Sequence, residues 1–369
     1  MDPTTAFCPN MDCLARGQAG KGNLGIHSRK DQRWRCRVCG KTFAETKGTV
    51  FYRLRTPGEL MTLVVTLMAH GCPLQAIVAA FDFDERTVAD WLARAGRQSR
   101  AVHEHLIEQP HDLGQVQADE LRVKAPGRIM WMAMAMMVST RLWLGGEVSP
   151  HRDLSLIRRL VEHVRAGALV RRLLLCTDGL CSYVRAARET FRDPVHRGQR
   201  GRPRLRIWSQ LLIAQVVKRY EKRRVVAVER RVVRGTAAEV EKAVVASQGK
   251  GVINTAYIER LNATFRERLA SLTRRGRALA RKSLTLEYGM DLIGAVYNFC
   301  AVHESLRVTV RVSQPAVERT PAMAAGITTY CWSVRELLSF HVPPPRWTPP
   351  KRRGRRSRAL QCVIERWCL

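Results

Sequence analysis

Residues 129–138, IMWMAMAMMV, form the longest continuous apolar run in the chain, and this run limits the folds that the chain can adopt. The run is about half as long as a membrane span requires. Its length and continuity are typical of a central strand that is buried on both faces of a sheet. Residues 115–124 alternate as a strand before it, and residues 141–148 read as a third strand. The sequence therefore predicts a sheet that begins near residue 114.

The rest of this region gives a mixture of helix and strand signals. Helices are predicted at residues 153–168, 211–220 and 237–247, and strands at residues 173–176 and 225–233. Residues 254–282 read as one long helix with a core-facing apolar stripe. Glu259, Asn262 and Arg266 lie on a different face of that helix, because they are three and four residues apart.

Three acids of this region occupy places from which they can meet. Asp119 lies inside the first strand, Asp178 ends a later strand, and Glu259 lies on the following helix. Carboxylates placed together do not all stay ionised cheaply without a cation between them. Mg²⁺ prefers such oxygen ligands, and two ions about 4 Å apart would activate a water or a 3′-hydroxyl for attack on a phosphodiester.

Each acid also has a structural interpretation. Asp178 precedes glycine, a common turn pair, and Asp119 reads equally as a charge at a strand edge. Glu259 alone reads as a surface carboxylate that pairs with an arginine. Glu120 competes with Asp119, because only one of two adjacent strand residues can point into a site.

The charge of the chain indicates its partner. Lys and Arg number 63 against 32 acids, which gives a formal net charge of +31. Such an excess implies a polyanion, most plausibly nucleic acid. A basic tail or a membrane surface fits poorly, because the charge is spread along a chain that is 46% hydrophobic. The first residues lack a basic-then-apolar leader, so we expect a cytoplasmic protein without a membrane partner.

Two cysteine pairs near the start predict a metal site. Cys8 and Cys13 are separated by four residues, Cys36 and Cys39 by two, and 22 residues join the pairs. This spacing is typical of a zinc ribbon, predicted here for residues 1–50, with the alternative of unrelated thiols. A segment this short has little core of its own, so Zn²⁺ would supply its folding energy. The other seven cysteines are predicted to be free thiols.

Residues 56–106 are predicted to be helical. Two short helices at residues 74–81 and 85–94, with a break between them, look like a helix-turn-helix. In that interpretation Arg86 and Thr87 open the recognition helix and contact DNA. The alternative is a plain helical hairpin between two domains.

Two segments carry mostly charge and turn residues. Residues 196–206, HRGQRGRPRLR, predict a mobile basic loop. The tail, residues 343–369, combines proline clusters with KRRGRRSR and is predicted to be disordered, with a non-specific DNA arm as its functional interpretation.

The order of these motifs resembles that of bacterial insertion-sequence transposases of the DDE type, in particular the compact group with an N-terminal zinc ribbon. The matching motifs are the two cysteine pairs, the paired helices, DEL at 119–121, TDG at 177–179, YIERLN at 257–262, YNFCAVHESL at 297–306, TPAMAAGI at 320–327 and WSVRELL at 332–338. The resemblance covers residues 8–338. Val302 departs from it, because the family usually has proline there, and so does the wide first cysteine pair.

The resemblance implies an α/β, RNase H-like domain at residues 114–340, with a mixed sheet flanked by helices. It implies Asp119, Asp178 and Glu259 as catalytic acids that hold Mg²⁺ or Mn²⁺. Asn262 would orient Glu259 or touch phosphate. Further contacts to the backbone of double-stranded DNA, at element ends and target, are implied for Arg266, Arg274, Arg275 and Arg277.

The implied activity is metal-dependent cleavage of DNA strands and their transfer by a 3′-hydroxyl. We expect a homo-oligomer on DNA, because two ends must be joined. One alternative is a DNA-binding regulator or a transposase remnant without catalysis. Another is a metal-dependent nuclease or junction resolvase, which would have no need of two N-terminal DNA-reading modules.

Overall fold

The computed structural model describes residues 2–195, 198, 201–222, 224–273, 279–280, 282–309, 316–349, 354 and 356–368. The chain divides into two compact units. One unit joins Met1–Gly58 with Leu338–Leu369, and the other is Glu59–Leu337. Among the described residues, no helix is both long and apolar enough to cross a membrane.

The first unit contains a small antiparallel sheet. Its strands are β1 (Leu24–Ser28), β2 (Arg33–Cys36) and β3 (Thr42–Ala44), with β2 in the middle. A helix near the end of the chain, Arg358–Trp367, belongs to the same unit. Its Trp367 is only 5% exposed and packs with Trp34 around the cysteines.

The helix corrects the prediction of a disordered tail over residues 358–367. The prediction of disorder was based on the prolines and arginines that precede this helix. Val363 and Trp367, four residues apart, form an apolar stripe that packs on the core of the first unit.

The second unit is built on a six-stranded mixed sheet in the order β11-β10-β7-β4-β5-β6. In chain order the strands are β4 (Gln115–Ala125), β5 (Arg128–Met137), β6 (Trp143–Ser149), β7 (Leu173–Asp178), β8 (Arg192–Val195), β9 (Arg204–Ile207), β10 (Leu211–Glu221) and β11 (Arg224–Arg234). Strands β4, β7 and β10 are parallel, and the other pairs are antiparallel. Strands β8 and β9 form a separate hairpin.

The apolar run is a strand with neighbours on both sides, as the sequence predicts. Strand β5 lies between β4 and β6, and its even-numbered methionines face the core. The predicted helix at residues 211–220 is wrong, because this segment is β10. Residues 211–217 are another short apolar run, and periodicity alone does not distinguish a buried strand from a buried helix.

Helices flank this sheet. They are α1 (Gly58–Ala69), α2 (Leu74–Phe81), α3 (Glu85–Leu106), α4 (Leu154–Ala166), α5 (Cys181–Thr190), α6 (Ala237–Gln248), α7 (Ala256–Arg268) and α8 (Ser283–Phe299). Short helices follow at Pro321–Ala324 and Val334–Ser339. Helices α7 and α8 pack on the methionines of β5, and α4 contacts β5 and β6.

Helices α3 and α7 differ in length from their predictions. Helix α3 continues twelve residues beyond the predicted end at residue 94 and packs on α8. Gly96 permits this contact, because a Cβ there would lie 2.6 Å from Cα of Tyr288. Helix α7 ends at Arg268 and is followed by one 3-10 turn, Ala270–Leu272, instead of continuing to residue 282.

Candidate active site

An open cleft of ≈ 650 Å³ lies where the parallel pairing of β4 with β7 ends. The polar and charged side chains that line it are Asp119, Arg152, Asp178, Lys218, Tyr220, Thr255, Glu259, Asn262 and Arg266. All three acids that the sequence singles out therefore face one cleft, together with Asn262 and Arg266.

The strand register brings Asp119 and Asp178 together. Gln117 of β4 pairs with Cys176 of β7, and two further residues along both strands lead to Asp119 and Asp178. One carboxylate oxygen from each of Asp119, Glu120 and Asp178 lies within 4.8 Å of the other two. This acidic cluster could bind a divalent metal ion, because hard cations prefer carboxylate oxygens.

The electrostatics of the acidic cluster are compatible with a cation site. Burial, together with the neighbouring charges of Glu120 and Asp178, raises the pKa of Asp119 to about 6. Burial also raises the pKa of Glu120, despite its contacts with Tyr183 and Arg152. A bound divalent cation would stabilise the ionised forms of both carboxyl groups.

Glu120 lies on the other face of β4 from Asp119. Its carboxylate accepts a hydrogen bond of 2.8 Å from the hydroxyl of Tyr183, on α5, and pairs with Arg152. Asp119 lines the cleft, whereas Glu120 is not among the residues of its wall. Arg152 also reaches Asp178, at 3.3 Å, and so carries a positive charge between two of the acids.

Glu259 faces the cleft but is not part of the acidic cluster. Its Oε1 accepts hydrogen bonds from Lys218 at 2.6 Å and from Thr255 at 2.8 Å. Partial burial acts to raise the pKa of Glu259, but these hydrogen bonds and the Lys218 charge outweigh it, so the pKa is lowered. Lys218 thus supplies the counter-charge that a metal ion would otherwise supply.

The side chain of Asn262 contacts an acid other than the expected one. Its amide donates a hydrogen bond of 2.8 Å to Asp119 rather than orienting Glu259. The Asn262 Oδ1 atom is buried and has no hydrogen-bond partner among the described residues. This contact fixes α7 against β4 beside the acid.

The other predicted DNA contacts lie elsewhere. Arg86 is exposed and Thr87 half-buried in the first turn of α3, where the Asp84 carboxylate accepts hydrogen bonds from both of their backbone N–H groups. The predicted contacts at Arg274, Arg275 and Arg277 lie outside the described residues.

Gln117 positions the acid helix, and sequence reasoning missed it. Its Oε1 accepts hydrogen bonds from the N–H groups of Tyr257 and Ile258, and its amide donates to the carbonyl of Asn254 at 2.8 Å. Both N–H groups belong to the first turn of α7, which lacks a side-chain cap from Thr255. The signal was the pattern QVQAD, which sets Gln117 and Asp119 on one face of the strand.

The four predicted zinc ligands are brought together in the first unit. The sulfur atoms of Cys8, Cys13, Cys36 and Cys39 lie within 4.8 Å of one another, and this set could bind zinc. Burial raises the pKa of Cys13 to about 11 and raises that of Cys8 as well. Zinc would bind the thiolate forms and release their protons.

No protein-family model matches this chain, and none of the curated proteins is significantly similar to it.

Replacing Gln117 by methionine should loosen the start of α7. Two buried N–H groups would lose their acceptor, at a cost of about 1–3 kcal/mol in unfolding free energy. Hydrogen exchange should accelerate at the amides of Tyr257 and Ile258. Gln210→Met, at an exposed position, is the control, and equal effects of Gln117→Met and Gln210→Met would contradict the role of Gln117.

Removal of zinc should unfold the first unit, because its core surrounds the four cysteines. We expect one zinc per chain, and its chelation should expose the buried Trp34 and Trp367 and red-shift their fluorescence. Cys36→Ser should abolish zinc binding, whereas the exposed Cys181→Ser should not. Equal zinc contents of the two variants would contradict the assignment.

Proposed function

We propose that the chain is a DDE-type insertion-sequence transposase, which cuts and rejoins DNA strands at the ends of its own element. The observation that carries the proposal is the meeting of Asp119 and Asp178 at the end of their parallel pairing, with Glu259 facing the same cleft. The mixed sheet flanked by helices is compatible with an RNase H-like domain. The charge of +31 favours DNA as the partner.

In this proposal Asp119 and Asp178 hold Mg²⁺ or Mn²⁺, and Glu259 completes the site. The bound ions supply Lewis-acid activation of a water or a 3′-hydroxyl. Asn262 holds the Asp119 carboxylate in place through its hydrogen bond. Arg152 and Lys218 line the same cleft and would contact the phosphate that enters it.

DNA recognition is proposed for two further parts of the chain. The zinc ribbon carries basic side chains around its cysteines, and α2 with α3 would act as a helix-turn-helix. Arg86 would contact DNA from the exposed first turn of α3. Because element ends must be paired, we propose that more than one protomer acts on the DNA.

Three ion pairs favour a second candidate function. Arg152 pairs with Glu120 and Asp178, and Lys218 pairs with Glu259. Basic side chains that replace metal ions are what a DNA-binding regulator descended from a transposase would carry. Both candidate functions include DNA binding, but only the transposase catalyses the cleavage and transfer of DNA strands.

Strand transfer separates the candidates. The substrate is DNA that carries the ends flanking the gene, incubated with Mg²⁺ and full-length protein. Wild-type protein should yield joined strands, and Asp119→Asn, Asp178→Asn and Glu259→Gln should each lower the rate roughly 100-fold or more, which is about 2.7 kcal/mol in activation free energy. DNA binding should persist in all three variants.

Asp112→Asn is the control, because this exposed acid pairs with Arg171 and is not among the residues that line the cleft. It should leave the rate of strand transfer unchanged. Binding without cleavage by every protein would favour the regulator, and cleavage without joining would favour a nuclease. Full activity of Glu259→Gln would remove the helix acid from the site.

A further inference from the structure

Strands β10 and β11 form a two-stranded ribbon that extends beyond the sheet beside the cleft. Strand β7 ends at Asp178, opposite Val216, but β10 continues through residues 217–221 with β11 as its described neighbour. Five residues of strand span about 17 Å. We refer to residues 217–222 and 224–228 as the ribbon.

The arginines and lysines of this hairpin fall into two groups. Towards the base of β11, Arg230 donates to the carbonyl of Ile253, and Arg234 donates to the carbonyls of Leu211 and Trp208. Arg231 pairs with Glu229 at 2.6 Å. These three side chains are therefore engaged by the protein itself.

Three basic side chains near the far end of the ribbon, which we call the tip, have no such partners. Arg219, Lys222 and Arg224 are exposed and form no side-chain hydrogen bond or salt bridge with any other described residue. Glu221 is the only acid between residues 217 and 228. The tip is therefore a basic surface beside the cleft that contains the three acids, and its charges are available to a polyanion.

Tyr220 presents an aromatic ring at the rim of the cleft. It is 62% exposed and lines the cleft. Lys218, two residues earlier on β10, lines the same cleft and contacts Glu259. Burying an aromatic ring this exposed against a base face would remove apolar surface from water, and stacking of this kind tolerates any base.

We propose that the ribbon binds the DNA strand that enters the cleft, with Tyr220 stacking on an unpaired base beside the reacting phosphate and Arg219, Lys222 and Arg224 contacting the flanking phosphates. This inference rests on the proposed DNA-processing function and adds a substrate feature to it: the base next to the cleaved bond is unpaired. A base that remains stacked in a duplex offers no free face to Tyr220.

A second copy of the chain is the competing occupant, since the outer edge of β11 is exposed and carries several valines. The charges favour DNA. In the sequence, residues 218–224 carry five basic residues and one acid, so two such tips would repel each other. Phosphates offer the complementary charge.

The stacking contact is tested by a double-mutant cycle. The cycle combines substitution of Tyr220 with removal of single bases from the DNA, and it measures binding affinity. The probe is a duplex that carries one element end and continues into a few unpaired nucleotides, with an abasic site placed at each position in turn. All proteins carry Asp119→Asn and are assayed without Mg²⁺, so that affinity is measured apart from cleavage. Tyr220→Ala should weaken binding to intact DNA roughly 5- to 150-fold.

At one position near the junction, the abasic site should weaken binding of the Tyr220 protein and leave that of Tyr220→Ala unchanged. Tyr220→Phe should keep the contact, and Tyr330→Ala is the control at another exposed tyrosine. If the losses of affinity caused by Tyr220→Ala and by the abasic site were additive at every position, the stacking contact would be overturned. Equal affinities of the proteins with and without Tyr220→Ala would also overturn it.

The phosphate contacts are tested by removing three charges at the tip. The variant Arg219→Gln, Lys222→Gln, Arg224→Gln should reduce the slope of log affinity against log salt by about 2 to 3. The control Arg171→Gln, Arg185→Gln, Arg231→Gln removes the same number of charges from arginines in ion pairs with Asp112, Glu189 and Glu229.

Equal slopes of the two triple variants would overturn the ribbon as a DNA contact. A loss of oligomers in the tip variant, with its DNA affinity and slope unchanged, would assign the ribbon to a second copy instead. If the proposed strand transfer fails while the Tyr220 cycle succeeds, the chain binds DNA at the cleft without processing it.

Discussion

The second unit depends on how the charge of three neighbouring carboxyl groups is balanced. Asp119, Glu120 and Asp178 lie within 4.8 Å of one another, and burial raises the pKa values of the first two. An arrangement of this kind costs free energy unless a cation is close. In the protein alone, Arg152 provides part of that charge, and Lys218 does the same for Glu259. The acids of the cleft therefore have basic partners within the protein itself.

The backbone places these groups with few specialised side chains. The parallel register of β4 and β7 brings the two aspartates side by side. Gln117 and Asn262 then fix α7 on β4 at two points, one at the first turn of the helix and one beside Asp119. Because Gln117 and Asp119 share one face of a single strand, the same strand that supplies an acid also positions the helix that carries Glu259.

Much of this arrangement follows from local sequence patterns. The apolar run of β5, the alternation of β4, the acid at the end of β7 and the stripe of α7 each predict their element, and the cysteine spacing predicts the cluster of four sulfurs. The pairing of β10 with β7 was not predicted from the sequence, because the apolar segment at the start of β10 has the same pattern as a buried helix. The ion pair between Lys218 and Glu259 depends on that missed strand, so sequence reasoning could not predict it. The helix that contains Trp367 was not predicted, because the proline- and arginine-rich composition around it is typical of a disordered segment.

The most direct test of a metal-dependent site is to locate Mn²⁺ by anomalous X-ray scattering in crystals of the full-length protein. We expect an ion between the carboxylates of Asp119 and Asp178, with the Arg152 guanidinium moved away from Asp178, and no such ion in Asp119→Asn. A cleft without Mn²⁺, in which Arg152 and Lys218 still contact the acids at saturating concentrations of the metal, would rule out a metal-dependent site there.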